Sequence, residues 1–521
     1  MPTYLSPGVY IQELDAATRP IEGVGTAVAA FVGFAPRGPK NTPTLVTNWT
    51  QYVDAFGDIE TGSYLALAVY GYFLNGGGRC YIVRIGAEQA EAQGQGKQQP
   101  KQVTASQTAT IGNYVFTAKN ATANAKAITV EIGPADGDAP PDDEFKVTVN
   151  IEGKQPEVWG NVSSKPDSDN YVVNRVGGES KVITVEAVLP DVQTKPKLGN
   201  VALAIPEPKS EPIVLEKQTV SAANYIGDAA DRTGFSGLEE VEDVTMVSVP
   251  DLMAAYEQGA IDLEMVKGVQ LAIVAHCELM GDRMAILDPP PGLSVQEVAR
   301  WRTYDSGLDS KFAALYYPWV KVLDPVSGST RMIPPSGHMA GIWARNDNER
   351  GVHKAPANEI VRGAIDVQTK ITRIEQESLN PIGVNAVRGF PGRGIRVWGA
   401  RTLSSDPAWR YINVRRLFNY LEKSILLATQ FAVFEPNDQA LWGKLSRTIT
   451  AFLMGEWRGG ALFGAVPEQA FFVKCDDETN PTDSIDAGRV VCAIGVAPVK
   501  PAEFVIFQLS QFSGGSGSVE E

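Results

Sequence analysis

VTMVSVPD (244–251), LEMVKGVQLAIVAHCELMG (263–281), RMAILDPP (283–290), SVQEVARWRTY (294–304) and KFAALYYPWVKVLD (311–324) read in order as strand, helix, strand, helix, strand. The strand segments are short apolar runs closed by turn residues, and the first helix ends at Gly281. This alternation predicts a sheet with helices packed on it. Upstream, VGTAVAAFVGFA (24–35) reads as a buried strand, SYLALAVYGYFLNGGG (63–78) as a helix ended by glycines, and RCYIVRIG (79–86) as a further strand. These segments would complete the same sheet, so the chain between them would be an insertion.

The insertion begins where composition shifts to the polar, low-complexity EQAEAQGQGKQQPKQ (88–102). NYVFTAK (113–119), AITVEIG (127–133), FKVTVNIEG (145–153), YVVNRV (171–176) and KVITVEAV (181–188) then follow as short strands, an all-β and sandwich-like pattern. Beyond residue 355, DVQTKITRIEQESLN (366–380) is amphipathic and IRVWGARTL (395–403) reads as a strand. YINVRRLFNYLEKSILLATQFAVF (411–434) and LWGKLSRTITAFLMGEWRGG (441–460) read as helices, and AFFVKCDD (470–477) and RVVCAIGVAPV (489–499) as strands. The fold class expected is multidomain α/β and α+β: an α/β core, an inserted β-rich domain, and extended strand arms at both ends. The expected domains are an arm at 1–20, a discontinuous middle domain at 21–86 and 231–354, the insertion at 87–230, a C-terminal domain at 355–500, and a linking strand with a polar tail at 501–521.

The two ends are the most telling part. PGVYIQEL (7–14) and AEFVIFQLSQF (502–512) alternate like strands, are flanked by prolines, and have no adjacent hairpin partner. A lone strand is not stable in water. Val9, Tyr10, Ile11 and Gln12, and Phe504, Val505, Ile506 and Phe507, are therefore candidate pairing residues toward a distant segment or another chain.

The chain has 521 residues, 44% hydrophobic and 21% charged, which suits several cored domains. Its net charge of −15 argues against sequence-independent nucleic-acid binding. The charge is uneven: residues 231–309 hold 15 acids and 5 bases, net −10, and residues 388–447 hold 10 bases and 4 acids, net +6. Such blocks can complement each other between copies. Cys80, Cys277, Cys475 and Cys492 lack CxxC spacing, which suits neither a disulfide framework nor a zinc site and fits folding in a reducing cytoplasm. No secretory signal and no apolar run of membrane-spanning length is expected.

Candidate chemistry is sparse. His276, His338 and His353 form no HExxH, and there is no GxSxG and no P-loop. Asp251 and Asp288 follow strands, where ligands sit in open α/β sheets, but each opens a turn that an Asp caps. Gly76–Gly78 follows a helix and reads as its C-terminal turn. No cofactor, metal or catalytic residue is expected. A cytosolic α/β hydrolase with an accessory β domain is the alternative, and a fibre or carbohydrate-binding protein would rest on the insertion alone.

YLSPGVYIQE (4–13), DRMAILDPPPG (282–292), YYPWVKVLDP (316–325), IPPSGHMAGIWARNDNERGVHKAPANE (333–359), GIRVWGARTL (394–403), WRYINVRRLFNYLEKSI (409–425), FEPND (434–438), LWGKLSRTITAFL (441–453), GALFGAVPEQAFFVKCDDETN (460–480) and AGRVVCAIGVAPVKPAEFVIF (487–507) resemble the contractile tail sheath family of phages, tailocins and phage-like injection systems. The resemblance covers about 1–86 and 240–510. It implies a structural subunit, not an enzyme, that stacks in hexameric rings around an inner tube and contracts to drive that tube through a target envelope. The arms would add to a neighbour's C-terminal-domain sheet. The implied partners are the chain itself, the inner tube protein, and baseplate and cap or terminator proteins, with no nucleic acid and no membrane insertion. Assembly would be in the bacterial cytoplasm, in a phage tail or a particle that can be released. Within the C-terminal domain, Arg410, Arg415, Arg416, Lys423, Lys444 and Arg447 are expected to face the tube or a neighbour, and 87–230 to point outward.

Overall fold

The structure, a computed structural model, describes residues 21–86, 108–111, 113–118, 128–137, 140–151, 156–180, 183–188, 199–203, 213 and 220–507. The arm at 1–20, with Val9, Tyr10, Ile11 and Gln12, lies outside them. The chain divides into two compact units: residues 1–52, 62–89 and 213–521 form the first, and 53–61 with 90–212 the second.

The first unit is built on an eight-stranded sheet in the order Gly394–Val397, Val384–Phe390, Ala313–Tyr317, Met284–Leu287, Met246–Ser248, Val28–Gly33, Arg79–Arg84, Thr44–Val46. The inner strands are parallel, with Ala29 opposite Met246 and opposite Cys80, and Ala285 opposite Ala313. Val28–Gly33 and Met246–Ser248 are thus neighbours in space although about two hundred residues apart, as expected for a sheet interrupted by an insertion. Every residue of Val28–Gly33, Met284–Leu287 and Ala313–Tyr317 is buried. That explains their unbroken apolar runs, because parallel strands carry helices on both faces. One face packs on Leu263–Met280 through Val266, Val269 and Ile273, in a core that includes Leu315, Trp301 and Trp319. Gly281 stops that helix in the left-handed region at φ 69°.

Two strand expectations change. KFAALYYPWVKVLD is not one strand but two, Ala313–Tyr317 in the large sheet and Val320–Leu323 in a three-stranded sheet with Thr330–Ile333 and Ala364–Val367. Pro318, behind a cis peptide, has no N–H for a ladder and stands at the break. IRVWGARTL is a strand only over Gly394–Val397. Strand pairing also carries the large sheet past residue 354, to Val384–Phe390 and Gly394–Val397.

Residues after 404 add helices Ile412–Ala428 and Gln439–Arg458 and an antiparallel hairpin of Phe471–Lys474 with Ala493–Val496. Leu417, Leu421, Ile449, Phe452, Leu453 and Phe471 close a core among them.

The second unit contains a four-stranded sheet, Gly199–Leu203, Ile128–Pro134, Glu144–Ile151, Glu157–Ser163, and a three-stranded one, Thr108–Ile111, Tyr114–Ala118, Ile183–Ala187. Phe116, Val185, Val130, Val147 and Phe145 share one core between the sheets, a sandwich. YVVNRV is helical here rather than extended, within Val172–Glu179. Its two buried residues, Val172 and Val176, stand four apart, so helical spacing wins over the β preference of valine.

Candidate functional site

Asp251, Asp288, His276 and His338 are held in structural roles by the fold. Asp251 lies at the start of helix Asp251–Glu257 and is wholly buried. Its carboxylate accepts from the Phe34 N–H at 2.6 Å, the Tyr64 N–H at 2.5 Å, the Leu65 N–H at 3.2 Å and the Ser63 hydroxyl at 2.9 Å. It is a knot between a strand end and two helix starts. Burial pushes its carboxyl up to about 6 against the pull of those donors. Asp288 accepts from the Ser336 N–H at 3.0 Å and its hydroxyl at 2.5 Å, and burial raises it to about 7. His276 and His338 are buried and pushed down to about 4, so both are neutral packing groups at neutral pH. Among the described residues no three His, Cys, Asp or Glu side chains form a group that could hold a metal ion, and no helix is long and apolar enough to cross a membrane.

What the first unit presents instead is a surface around helix Ile412–Ala428, and both ends of the described chain are rooted on it. At the N-terminal side, the Val24 N–H donates to the Ser424 hydroxyl at 3.1 Å, and Arg416 donates to the Thr26 carbonyl at 2.9 Å. Gly23 lies so close to Tyr420 that an added Cβ would sit 2.0 Å from its hydroxyl oxygen. At the C-terminal side, Asn413 donates to the Val499 carbonyl at 3.1 Å, and the Tyr411 hydroxyl donates to Glu503 at 3.3 Å.

Glu503 itself receives a forked pair from Arg401, at 2.9 and 2.5 Å. Burial alone would raise the Glu503 carboxyl, but the hydrogen bonds and charge of Arg401 outweigh it and hold it below the ordinary value. Arg401 is fixed in turn by Asn385, whose amide accepts from the Arg401 N–H at 2.7 Å and donates to its carbonyl at 2.8 Å. This clasp ties the segment at Glu503 to the large sheet, through Asn385 of Val384–Phe390. Immediately beyond it, Phe504, Val505, Ile506 and Phe507 are 73%, 69%, 82% and 82% exposed and form no ladder with any described residue. Four consecutive large apolar side chains in water are an unpartnered surface, not a scattered exposed residue. The hairpin Phe471–Lys474/Ala493–Val496 is a two-stranded sheet with no further strand on either edge among the described residues. Phe472 and Ile494 on it are exposed, as are Phe463, eight residues before the first strand, and Phe434.

The expected basic face needs correction. Arg415 is buried: it donates to Asn419 at 2.6 Å and Glu422 at 3.1 Å, and its guanidinium lies over Trp409 at 4.5 Å and Phe312 at 4.8 Å. Arg416 is buried against Asp347, at 2.8 and 2.5 Å, over the Trp343 ring at 4.8 Å. Lys423 donates to Asp282 at 2.6 Å and to the Glu242 carbonyl, so part of the complementarity between the acidic and basic blocks is spent within one chain. Lys444 is half-buried over Phe431 at 4.1 Å. Only Arg410 and Arg447 of the six are exposed. The Arg401–Glu503 clasp escaped the sequence reading, although one signal existed: Glu503 is the only acid between Asp486 and Glu520, and it immediately precedes the apolar run.

Comparison with known proteins assigns this arrangement to a class. The phage tail sheath protein central domain matches residues 219–403, and the phage tail sheath C-terminal domain matches 404–512. The tail sheath protein of Burkholderia phage BcepMu is 25% identical over 529 residues, 96% of this chain and 95% of that protein. That of Vibrio phage KVP40 is 29% identical over 235 residues, 44% of this chain and 33% of that protein. The sheath of the anti-feeding prophage in its contracted state shares the fold at a TM-score of 0.58, with 24% identity over 98% of this chain and 100% of that one. The sheath of the extracellular contractile injection system PVC, also contracted, gives 0.57 at 23% identity over 98% and 99%.

The chain belongs to the contractile tail sheath family, a family of structural proteins and not of enzymes. The hydrolase alternative falls with that assignment.

Proposed function

We propose that this chain polymerises as stacked hexameric rings around an inner tube protein, with baseplate and cap proteins at its ends, and that its contraction drives the tube through a target envelope. Each subunit lends its two terminal segments, 1–20 and 501–511, to the Phe471–Lys474/Ala493–Val496 hairpin of neighbours. The observation that carries this reading is the pairing of deficits among the described residues: a short sheet with no further strand on its edges, and an exposed apolar segment that joins no ladder. Strand addition satisfies both, because backbone hydrogen bonds supply affinity and alternate side chains fill pockets. Such links survive sliding of the subunits, since they run through extended chain and not through a rigid face. Of the basic set, Arg410 and Arg447, with Lys444 at the margin, are the groups proposed to meet the tube or a neighbour. Assembly takes place in the bacterial cytoplasm, in a phage tail or a particle that can be released.

The test is a pair of double variants examined by negative-stain microscopy. In a strand, Phe504 and Ile506 face one side and Val505 and Phe507 the other. Burying two such side chains contributes about 3–6 kcal/mol. One pair, Phe504→Ser with Ile506→Ser or Val505→Ser with Phe507→Ser, is expected to abolish striated cylinders while leaving a folded monomer, and the other to shorten them. Normal cylinders from both double variants would refute strand addition by this segment.

A further inference from the structure

The four cysteines have no telling spacing in the sequence, yet the hairpin brings two of them face to face. In its register Phe471 stands opposite Val496, Val473 opposite Ile494, and Lys474 opposite Ala493. One step further along the same register, Cys475 stands opposite Cys492. The Ala497 N–H donates to the Ala470 carbonyl at 2.8 Å, which makes Ala470 and Ala497 a hydrogen-bonded pair. Paired positions alternate along an antiparallel ladder, so Lys474 and Ala493 are hydrogen-bonded and Cys475 and Cys492 are not. At non-hydrogen-bonded positions the Cα atoms come to about 4.5 Å, which lies inside the range of about 4.4–6.8 Å that a disulfide requires.

The side chains agree with that register. The two thiols lie close enough to influence each other's titration, and Asn480 donates to the Cys475 sulfur at 3.9 Å. The buried Asn480 also grips the backbone beside Cys492 from both sides: it accepts from the Val491 N–H at 2.6 Å and donates to the Val491 carbonyl at 3.0 Å. The loop between the two cysteines is therefore pinned where it could otherwise let the sulfurs drift apart. Both thiols are half-buried, whereas Cys80 and Cys277 are wholly buried at separate places in the large sheet and its helix.

We propose that Cys475 and Cys492 form a redox-sensitive modification site, a cross-strand disulfide that locks the hairpin when the protein meets a small-molecule disulfide oxidant. The thiolate of one cysteine displaces a thiolate from oxidised glutathione and forms a mixed disulfide. The second cysteine, as thiolate, then attacks the protein sulfur and releases the remaining glutathione. Two protons and two electrons leave the protein, one disulfide forms in it, and one glutathione disulfide becomes two glutathione thiols. Burial raises both thiols above their ordinary range, Cys492 to about 12, so the thiolate fraction is small. Closure by a disulfide oxidant is therefore slow at neutral pH and faster as pH rises.

The experiment uses the full-length protein under native conditions with oxidised glutathione at mildly alkaline pH, and in parallel with diamide. Thiols are then titrated in denaturant and linked peptides mapped without reduction. Titratable thiols are expected to fall from four to two, with Cys475 and Cys492 in one linked peptide and Cys80 and Cys277 free. Cys492→Ser is expected to retain a glutathione adduct on Cys475 instead. Hydrogen exchange at Phe471–Lys474 and Ala493–Val496 should slow by roughly a hundredfold, as for a closed loop of similar length, and recover with dithiothreitol. Four surviving thiols with both oxidants, consumption of Cys80 or Cys277, or links formed only between chains would each overturn the assignment.

Discussion

Replacing Arg416 with Met separates the two roles open to a basic residue in the C-terminal region. The substitution keeps the apolar stem over Trp343 and removes the guanidinium that donates twice to Asp347 and once to the Thr26 carbonyl. The side chains of Arg416 and Asp347 are 3% and 2% exposed, so solvent cannot take over. Asp347 would keep only the Thr26 hydroxyl, at 2.7 Å, as a donor in these contacts. Removing one partner of such a buried pair costs about 3–5 kcal/mol, far above the roughly 0–1 kcal/mol of an exposed ion pair. In urea, followed by tryptophan fluorescence, the midpoint should fall by about 1 M or more. Adding Asp347→Leu to Arg416→Met should recover much of the loss, a coupling that independent sites do not show. If Arg416→Met instead keeps its urea midpoint and loses only assembly, the buried-pair reasoning is wrong and the residue faces a partner.

Three other outcomes are expected. The Asp288 carboxyl is raised to about 7 from an unfolded value of 3.8, so the folded state holds an extra proton between these values and stability falls as pH rises from about 4 to about 7; Asp288→Asn should flatten that part of the melting-temperature profile, and an unchanged slope would assign it elsewhere. Glu503→Gln should free the terminal segment, read as faster proteolysis near Phe504; because the Glu503 carboxyl is held below its ordinary 4.5, the wild-type clasp should hold above that value and be lost as pH falls through the lowered one. Gly23→Ala places a methyl against the Tyr420 ring, whose hydroxyl is tied to Glu456 at 2.9 Å, and should cost about 1–3 kcal/mol in a thermal melt.

The sheet was legible because its strands are buried on both faces and so advertise themselves as unbroken apolar runs; the split at Pro318 and the helix at Val172–Glu179 show where short runs mislead. At the C-terminal side, the run Phe504, Val505, Ile506 and Phe507 stood out as a local apolar pattern, and the structure leaves these side chains exposed without assigning them to a strand. The basic face was not. Arg415 and Arg416 are adjacent on a helix and read as surface charge, but Asp347, Trp343 and Phe312 come from elsewhere in the chain and enclose them. Nor could spacing reveal Cys475 opposite Cys492, because that proximity is a matter of ladder register.

Helix Ile412–Ala428 holds the roots of both terminal segments, through Ser424 and Arg416 on one side and Asn413 and Tyr411 on the other. If those segments are seated in neighbouring subunits, a pull on one reaches the other through a single stiff helix, over about 16 Å from Asn413 to Ser424 at 1.5 Å per residue. Tension would then pass along a row of subunits as along a chain of rigid links with compliant joints. Most of the stretch would fall in the extended segments, and the cores would be carried as passengers.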